Sequence, residues 1–163
     1  MDLPQASELP YRLGVGIFLI NAAGKVLVAR RIDEDADAWQ MPQGGIDKGE
    51  SPAAAALREL EEEIGSGNAR IIGESSGWMN YDLPDHLIGK VWKGRYRGQK
   101  QKWFALRFLG SDDEIDPTRV AHPEFDDWKW VDVTELSQNV VAFKREIYEA
   151  IVKEFMPLLD APA

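Results

Sequence analysis

The chain has 163 residues with 44% hydrophobic content, a net charge of -9 and no cysteine. That length suits one domain with a core of its own; the missing cysteines exclude disulfides, thiolate zinc sites and a cysteine nucleophile. No apolar run approaches the ~18 residues of a membrane span and the stretch MDLPQASELP has no apolar signal core, so the expectation is a soluble cytoplasmic protein with no membrane contact.

In chain order, Leu13 to Ile20 and Lys25 to Arg30 are short apolar, β-branched runs joined by Asn21-Ala22-Ala23-Gly24, which reads as a hairpin. Arg31 to Ala38 is a polar, acidic loop. Trp39 to Met41 is a short strand that Pro42 ends before a glycine turn. Ser51-Pro52 then announces a helix: the serine oxygen caps free N–H groups, and proline fits the first helical position. The helix runs to about Ile64 and stops at Gly65, a residue suited to the left-handed cap. At 3.6 residues per turn Ala53, Ala56, Leu57, Leu60 and Ile64 form one stripe, expected to be buried.

Arg70 to Tyr81 is strand-like, followed by a Gly-, Pro- and charge-rich loop over Asp82 to Gln99 and a strand at Lys102 to Leu109. Ser111 to Phe125 reads as loop, Trp128 to Val131 as a last strand, and Val141 to Phe155 as a one-sided helix. Strands flanking one helix, then more strands and a second helix, suggest a mixed sheet sandwiched between helices.

On the first helix Glu59, Glu62 and Glu63 are spaced i, i+3, i+4 and converge, while Glu61 points elsewhere. Like charges at this spacing destabilise a helix by roughly a few tenths of a kcal/mol per pair, so a bare cluster is a cost that a cation would remove. Carboxylates without His or Cys suit Mg²⁺ or Mn²⁺. A solvated acidic face is the plainer alternative. A second charge feature opposes the net acidity: Lys90 to Lys102 holds six cations and no acid, interleaved with Trp92 and Tyr96, which reads as a local patch for phosphates or nucleic acid.

Gly44, five residues, Glu50, seven residues, then Arg58-Glu59-Leu60-Glu61-Glu62-Glu63-Ile64-Gly65 resembles the signature of the Nudix hydrolases; only the final apolar position departs, being Ser66. The resemblance implies one α/β/α sandwich with a central mixed β-sheet over the whole chain, its core at about 11–155. It implies several divalent ions held by Glu59, Glu62 and Glu63, with a backbone carbonyl from the glycine turn, here Gly44, and hydrolysis of a pyrophosphate link. Arg58 and Glu50 can pair across the turn and orient the ligand helix. Tyr11-Arg12, the run from Trp39 to Gly45, the run from Gly98 to Phe104, Pro123-Glu124-Phe125 and Phe143-Lys144-Arg145 are similar to bacterial RNA pyrophosphohydrolases and related dinucleoside polyphosphate hydrolases. Met41 stands where an aromatic is frequent.

That subgroup resemblance implies Glu124 as a further metal ligand or water activator. It also implies Phe143 as a base-stacking aromatic, Arg31, Tyr81 and Lys144 lining the nucleotide pocket, and Arg12 and Lys102 as further phosphate contacts. Phe143 reads equally well as a core aromatic. His122 and His86 are read as incidental. The expected substrate is the 5′-triphosphate end of RNA. The alternatives are asymmetric cleavage of diadenosine tetraphosphate to ATP and AMP, and a catalytically inactive nucleotide- or RNA-binding module. No stable protein partner is implied.

Overall fold

The computed structural model describes residues 8–32 and 38–160. The N-terminal decapeptide therefore lies mostly outside the described residues, as does most of the polar loop expected over Arg31 to Ala38. Among the described residues no helix is long and apolar enough to cross a membrane.

The spine of the sheet is β1 (Tyr11–Ile20) lying parallel to β7 (Gly98–Phe108), in register from Tyr11 opposite Gly98 to Ile20 opposite Arg107. The far edge of β7 carries two antiparallel strands in tandem, β5 (Ala69–Glu74) and β6 (Met79–Asp82). The single strand expected over Arg70 to Tyr81 is thus broken in two. Ser75, buried in the break, holds both sides to β7: its N–H donates to the Trp103 carbonyl at 2.8 Å and its hydroxyl accepts from the Trp103 N–H at 3.0 Å.

On the other side, the expected hairpin closes only at its turn. The Asn21 carboxamide oxygen accepts from the N–H groups of Ala23 and Lys25, and Gly24 takes a φ of 76°. Ile20 then pairs with Val26 of β2 (Val26–Arg31), and the two strands part. Into the opening comes β4 (Gln43–Gly45), antiparallel to Gly14–Gly16, with the Ile17 N–H bonded to the Pro42 carbonyl. The expected glycine turn is therefore a strand made by its partner. Beyond the opening, β2 pairs with β8 (Phe125–Val131) and, at its end, with β3 (Trp39–Gln40).

Side chains alternate across the sheet, so each strand serves two cores. Val15, Ile17, Leu19, Leu27, Phe104 and Leu106 pack against α1 (Pro52–Ile64). Phe18, Ile20, Val28, Trp103 and Ala105 pack with Ile147, Tyr148, Ile151 and Phe155 of α2 (Arg145–Phe155), which a short 3₁₀ turn at Ala142–Lys144 precedes. Each large side chain so buried contributes about 1.5–3 kcal/mol relative to exposure. Gly16 is required here, since a Cβ would run into the Trp103 indole. The result is the expected α/β/α sandwich on a mixed sheet.

Helix α1 begins and ends where its local signals place it. Ser51 Oγ accepts the Ala54 N–H at 3.1 Å, and Gly65 caps the C-terminus at φ 85° with its N–H on the Glu61 carbonyl. Its buried face differs from the apolar stripe: Ala55, Ala56, Leu60, Glu63 and Ile64 are buried, whereas Leu57 is 37% exposed. From 3.6 residues per turn, Leu57 and Glu63 stand about 60° to opposite sides of Leu60. The helix is rolled toward its glutamates, and the roll sinks Glu63 and lifts Leu57. Ser66, at the signature's apolar position, is buried and polar, its hydroxyl accepting from the Asn68 N–H.

Candidate active site

The carboxylates are set by the contact of β4 with α1. Gly44 lies directly over Glu59, where any Cβ would collide with the Glu59 carboxyl group. The neighbouring Gln43 N–H donates to Glu63 Oε2 at 3.1 Å. Glu63 is buried, and that burial followed by the charges of Glu124 and Glu59 pushes its carboxyl well above the usual carboxylate range. Burial also raises Glu59, against the pull of Arg58.

Arg58 braces this cluster from behind. Its Nε and Nη2 donate to the two oxygens of Glu50 at 2.7 and 2.8 Å, Nη2 also donates to the Gly45 carbonyl, and Nη1 is shared by Glu59 and Glu62 at 2.9 and 3.0 Å. The paired guanidinium pulls Glu50 down to about 2. One side chain thereby joins the turn before the helix, the strand and two of the carboxylates.

Glu124 reaches the cluster from the start of β8. The Ile32 N–H bonds to its carbonyl, and between Arg30 and Arg31 the register of β2 on β8 skips one residue of β8, an irregularity close to Glu124. Arg31 offsets the charge on Glu63.

These groups open onto a cavity of about 890 Å³. Its lining includes Glu59, Glu62, Glu63, Glu124 and Gly44, the group Tyr81, Phe143 and Lys144, and the cations Arg12 and Arg31. Phe143 is half-buried with its ring centroid 5.5 Å from that of Tyr81. Lys144 is buried, its Nζ 5.8 Å from the Tyr81 ring, 5.9 Å from the Phe143 ring and 3.4 Å from Gln40 Oε1. Arg12 stands 5.4 Å from the Trp92 ring.

Lys102 is elsewhere. It alternates with Gln101 along β7, so it shares the Phe104 face, away from Gln99 and the cavity, and its Nζ lies 3.8 Å from Glu74. Arg58 and Glu50 also stand off the wall, behind the carboxylates.

Reading residue types left out several wall residues. Gln99 lines the cavity, and the Gln101 Nε2 donates hydrogen bonds to Gln99 Oε1 at 2.9 Å and to Gln43 Oε1 at 3.2 Å, tying the two together. The period-2 spacing of Gln99, Gln101 and Trp103 was the available signal. His122, taken from sequence as incidental, is on the wall, and Leu87, Val91 and Trp92 bring the basic segment to its rim.

The donor set is all oxygen, and the burial of Glu63 and, in part, of Glu59 leaves negative charge that Arg58 and Arg31 only partly offset. Both properties fit hard divalent cations. Among the described residues no three carboxylates or histidines come close enough to hold an ion jointly; the Arg58 guanidinium bridges Glu59 and Glu62 instead.

The chain matches the NUDIX domain over residues 10–151. It belongs to the Nudix family. Members of the family generally need divalent metal ions for hydrolysis. This Nudix chain is 60% identical over 149 residues to an RNA pyrophosphohydrolase of Rhodospirillum rubrum, covering 91% of this chain and 89% of that one. It is 51% identical to an RNA pyrophosphohydrolase of Rickettsia canadensis, covering 94% of each. Among solved structures, the E. coli dihydroneopterin triphosphate pyrophosphohydrolase superposes with a TM-score of 0.69 at 22% identity, covering 89% of this chain and 99% of that one. A C. elegans Ap4A hydrolase superposes with a TM-score of 0.63 at 18% identity, over 90% and 98%. At such identities these two share the Nudix fold and nothing finer.

Proposed function

We propose that the protein hydrolyses the 5′-triphosphate end of RNA to a 5′-monophosphate, releasing pyrophosphate or two successive phosphates. The observation that carries this reading is the 60% identity, over nearly the full length of both chains, to a protein named RNA pyrophosphohydrolase. The cavity supports it, since one continuous space joins a carboxylate cluster to an aromatic pair and a buried cation.

Tyr81 and Phe143 offer flat apolar surface to a base, and Arg12, Arg31 and Lys144 offer charge to the phosphates. Glu59, Glu62, Glu63, Glu124 and the Gly44 carbonyl would hold Mg²⁺ or Mn²⁺, which supplies charge neutralisation on the phosphate oxygens and activation of the attacking water. Glu50 fixes Arg58, and Arg58 holds Glu59 and Glu62 beside each other on α1; taking up a shared ion would require these carboxylates to swing toward it. The expected setting is the cytoplasm, where nascent RNA ends are found.

The test compares purified protein on 5′-triphosphorylated RNA and on diadenosine tetraphosphate at matched concentrations, with either metal and with chelator. A larger kcat/KM on RNA that chelator abolishes is expected. A large advantage for the dinucleotide, with negligible turnover of RNA, would replace the proposed substrate. No hydrolysis of either would leave a binding module.

A further inference from the structure

The segment from Asp85 to Arg97 has features that the cavity chemistry does not use. Leu87, Val91 and Trp92 reach the cavity wall, while their neighbours Lys90, Lys93 and Arg95 are exposed. Among the described residues none of these three cations pairs with a carboxylate. Two other cations of the stretch are committed, Arg97 to Asp82 at 3.1 Å and Lys102 to Glu74 at 3.8 Å.

The backbone here is held in an unusual shape. Trp92, Lys93 and Gly94 take φ angles of 51°, 59° and 71°, three left-handed residues in succession, two of them not glycine. Such conformations cost energy and persist where the surroundings impose them. The turn is closed by the Gly94 N–H on the Val91 carbonyl and the Arg95 N–H on the Trp92 carbonyl, and Gly94 is packed against the backbone of Gly89. Its effect is to turn Trp92 inward, beside Arg12 and edge-on to Tyr96, while Lys93 points to solvent.

We infer that Lys90, Lys93 and Arg95 form a track for the RNA strand leaving the cavity, each cation taking a backbone phosphate beyond the first nucleotide. The inference rests on the proposed RNA substrate. In a chain of net charge -9, an exposed cationic rim at the mouth of a phosphate-handling cavity suits a polyanion that extends out of it. Phosphate contacts of this kind bind without reading sequence, so the track favours length rather than base identity.

The test uses the whole chain and the triple variant Lys90→Gln, Lys93→Gln, Arg95→Gln, with two readouts. The first is kcat/KM on a 5′-triphosphorylated dinucleotide and on a 5′-triphosphorylated twelve-nucleotide RNA. The variant is expected to lose about fivefold or more on the longer substrate and less than about twofold on the shorter. Its log–log salt dependence on the longer substrate should flatten by about 2, from three contacts at about 0.7 each. The second readout is binding of a twelve-nucleotide RNA with a 5′-hydroxyl end, which should weaken by a similar factor. Equal values for wild type and variant in both readouts would overturn the track. Because binding needs no turnover, the two ideas fail separately. Cation-dependent binding without hydrolysis of any triphosphorylated RNA would sink the proposed substrate and keep the track, and hydrolysis of triphosphorylated RNA with both readouts untouched by the variant would do the opposite.

Discussion

Arg58 and Glu50 are locked by two parallel hydrogen bonds of 2.7 and 2.8 Å, across the turn that leads into the carboxylate helix. Bidentate pairs of this kind combine charge with a fixed plane. Here the plane aims the remaining nitrogen at Glu59 and Glu62. Removing Glu50 should therefore disturb catalysis through Arg58 while leaving the cavity wall intact.

The pairing also predicts a pH dependence. The folded-state value of Glu50 is lowered to about 2, so its contribution to stability is complete above the ordinary carboxylate range and is lost as the pH falls toward about 2. Denaturant titrations of wild type and Glu50→Gln should differ at pH 7, and the difference should shrink steadily below about pH 4.5. A difference independent of pH would show that the lost contribution is not ionic.

Glu63→Gln should separate stability from activity. The amide keeps the shape and an acceptor for the Gln43 N–H but removes a charge from a buried position beside Glu59 and Glu124. Without divalent ions the variant should be more stable than wild type by about 1 kcal/mol or more. In their presence, activity should fall by at least about a hundredfold. Melting in chelator and turnover in Mg²⁺ measure the two effects.

Gly44→Ala should leave the fold and lose the site. The added methyl group meets the Glu59 carboxyl group, which must move. Misplacing a site group by about 1 Å costs on the order of a hundredfold in rate. A kcat loss of that order with a nearly unchanged melting temperature is expected; unchanged kcat would mean that the position of Glu59 does not matter.

Phe143→Ala should raise KM for nucleotide substrates about tenfold, in line with about 1–3 kcal/mol for a base stacked on an aromatic side chain. Phe143→Tyr should restore most of it, because the ring beside Tyr81 is retained. If alanine lowers stability and leaves KM alone, the ring belongs to the core.

The helix ends were legible because their causes are local: Ser51, Pro52 and Gly65 act on backbone within one turn of themselves. Strand β4 was not, because Gln43-Gly44-Gly45 has no strand-forming side chains and owes its conformation to Gly14–Gly16. The break between β5 and β6 likewise depends on what Ser75 finds across β7. That Glu59, Glu62 and Glu63 face one cavity was legible from spacing, since one helix carries all three. Which cations share their cavity was not, because that follows from register and strand parity: one residue along β7 separates Gln101 from Lys102, and they face opposite ways.

With Glu63 in the proposed role of metal ligand, the roll of α1 about its axis trades durability for chemistry. An apolar side chain is left partly exposed at position 57 while an acid is buried at position 63. Exchanging them, as Leu57→Glu with Glu63→Leu, would satisfy ordinary solvent preferences on both flanks of the helix. Such a protein should express well, resist heat better than its parent and do nothing to a triphosphate. A search for hardier variants that selects on folding alone would drift toward it.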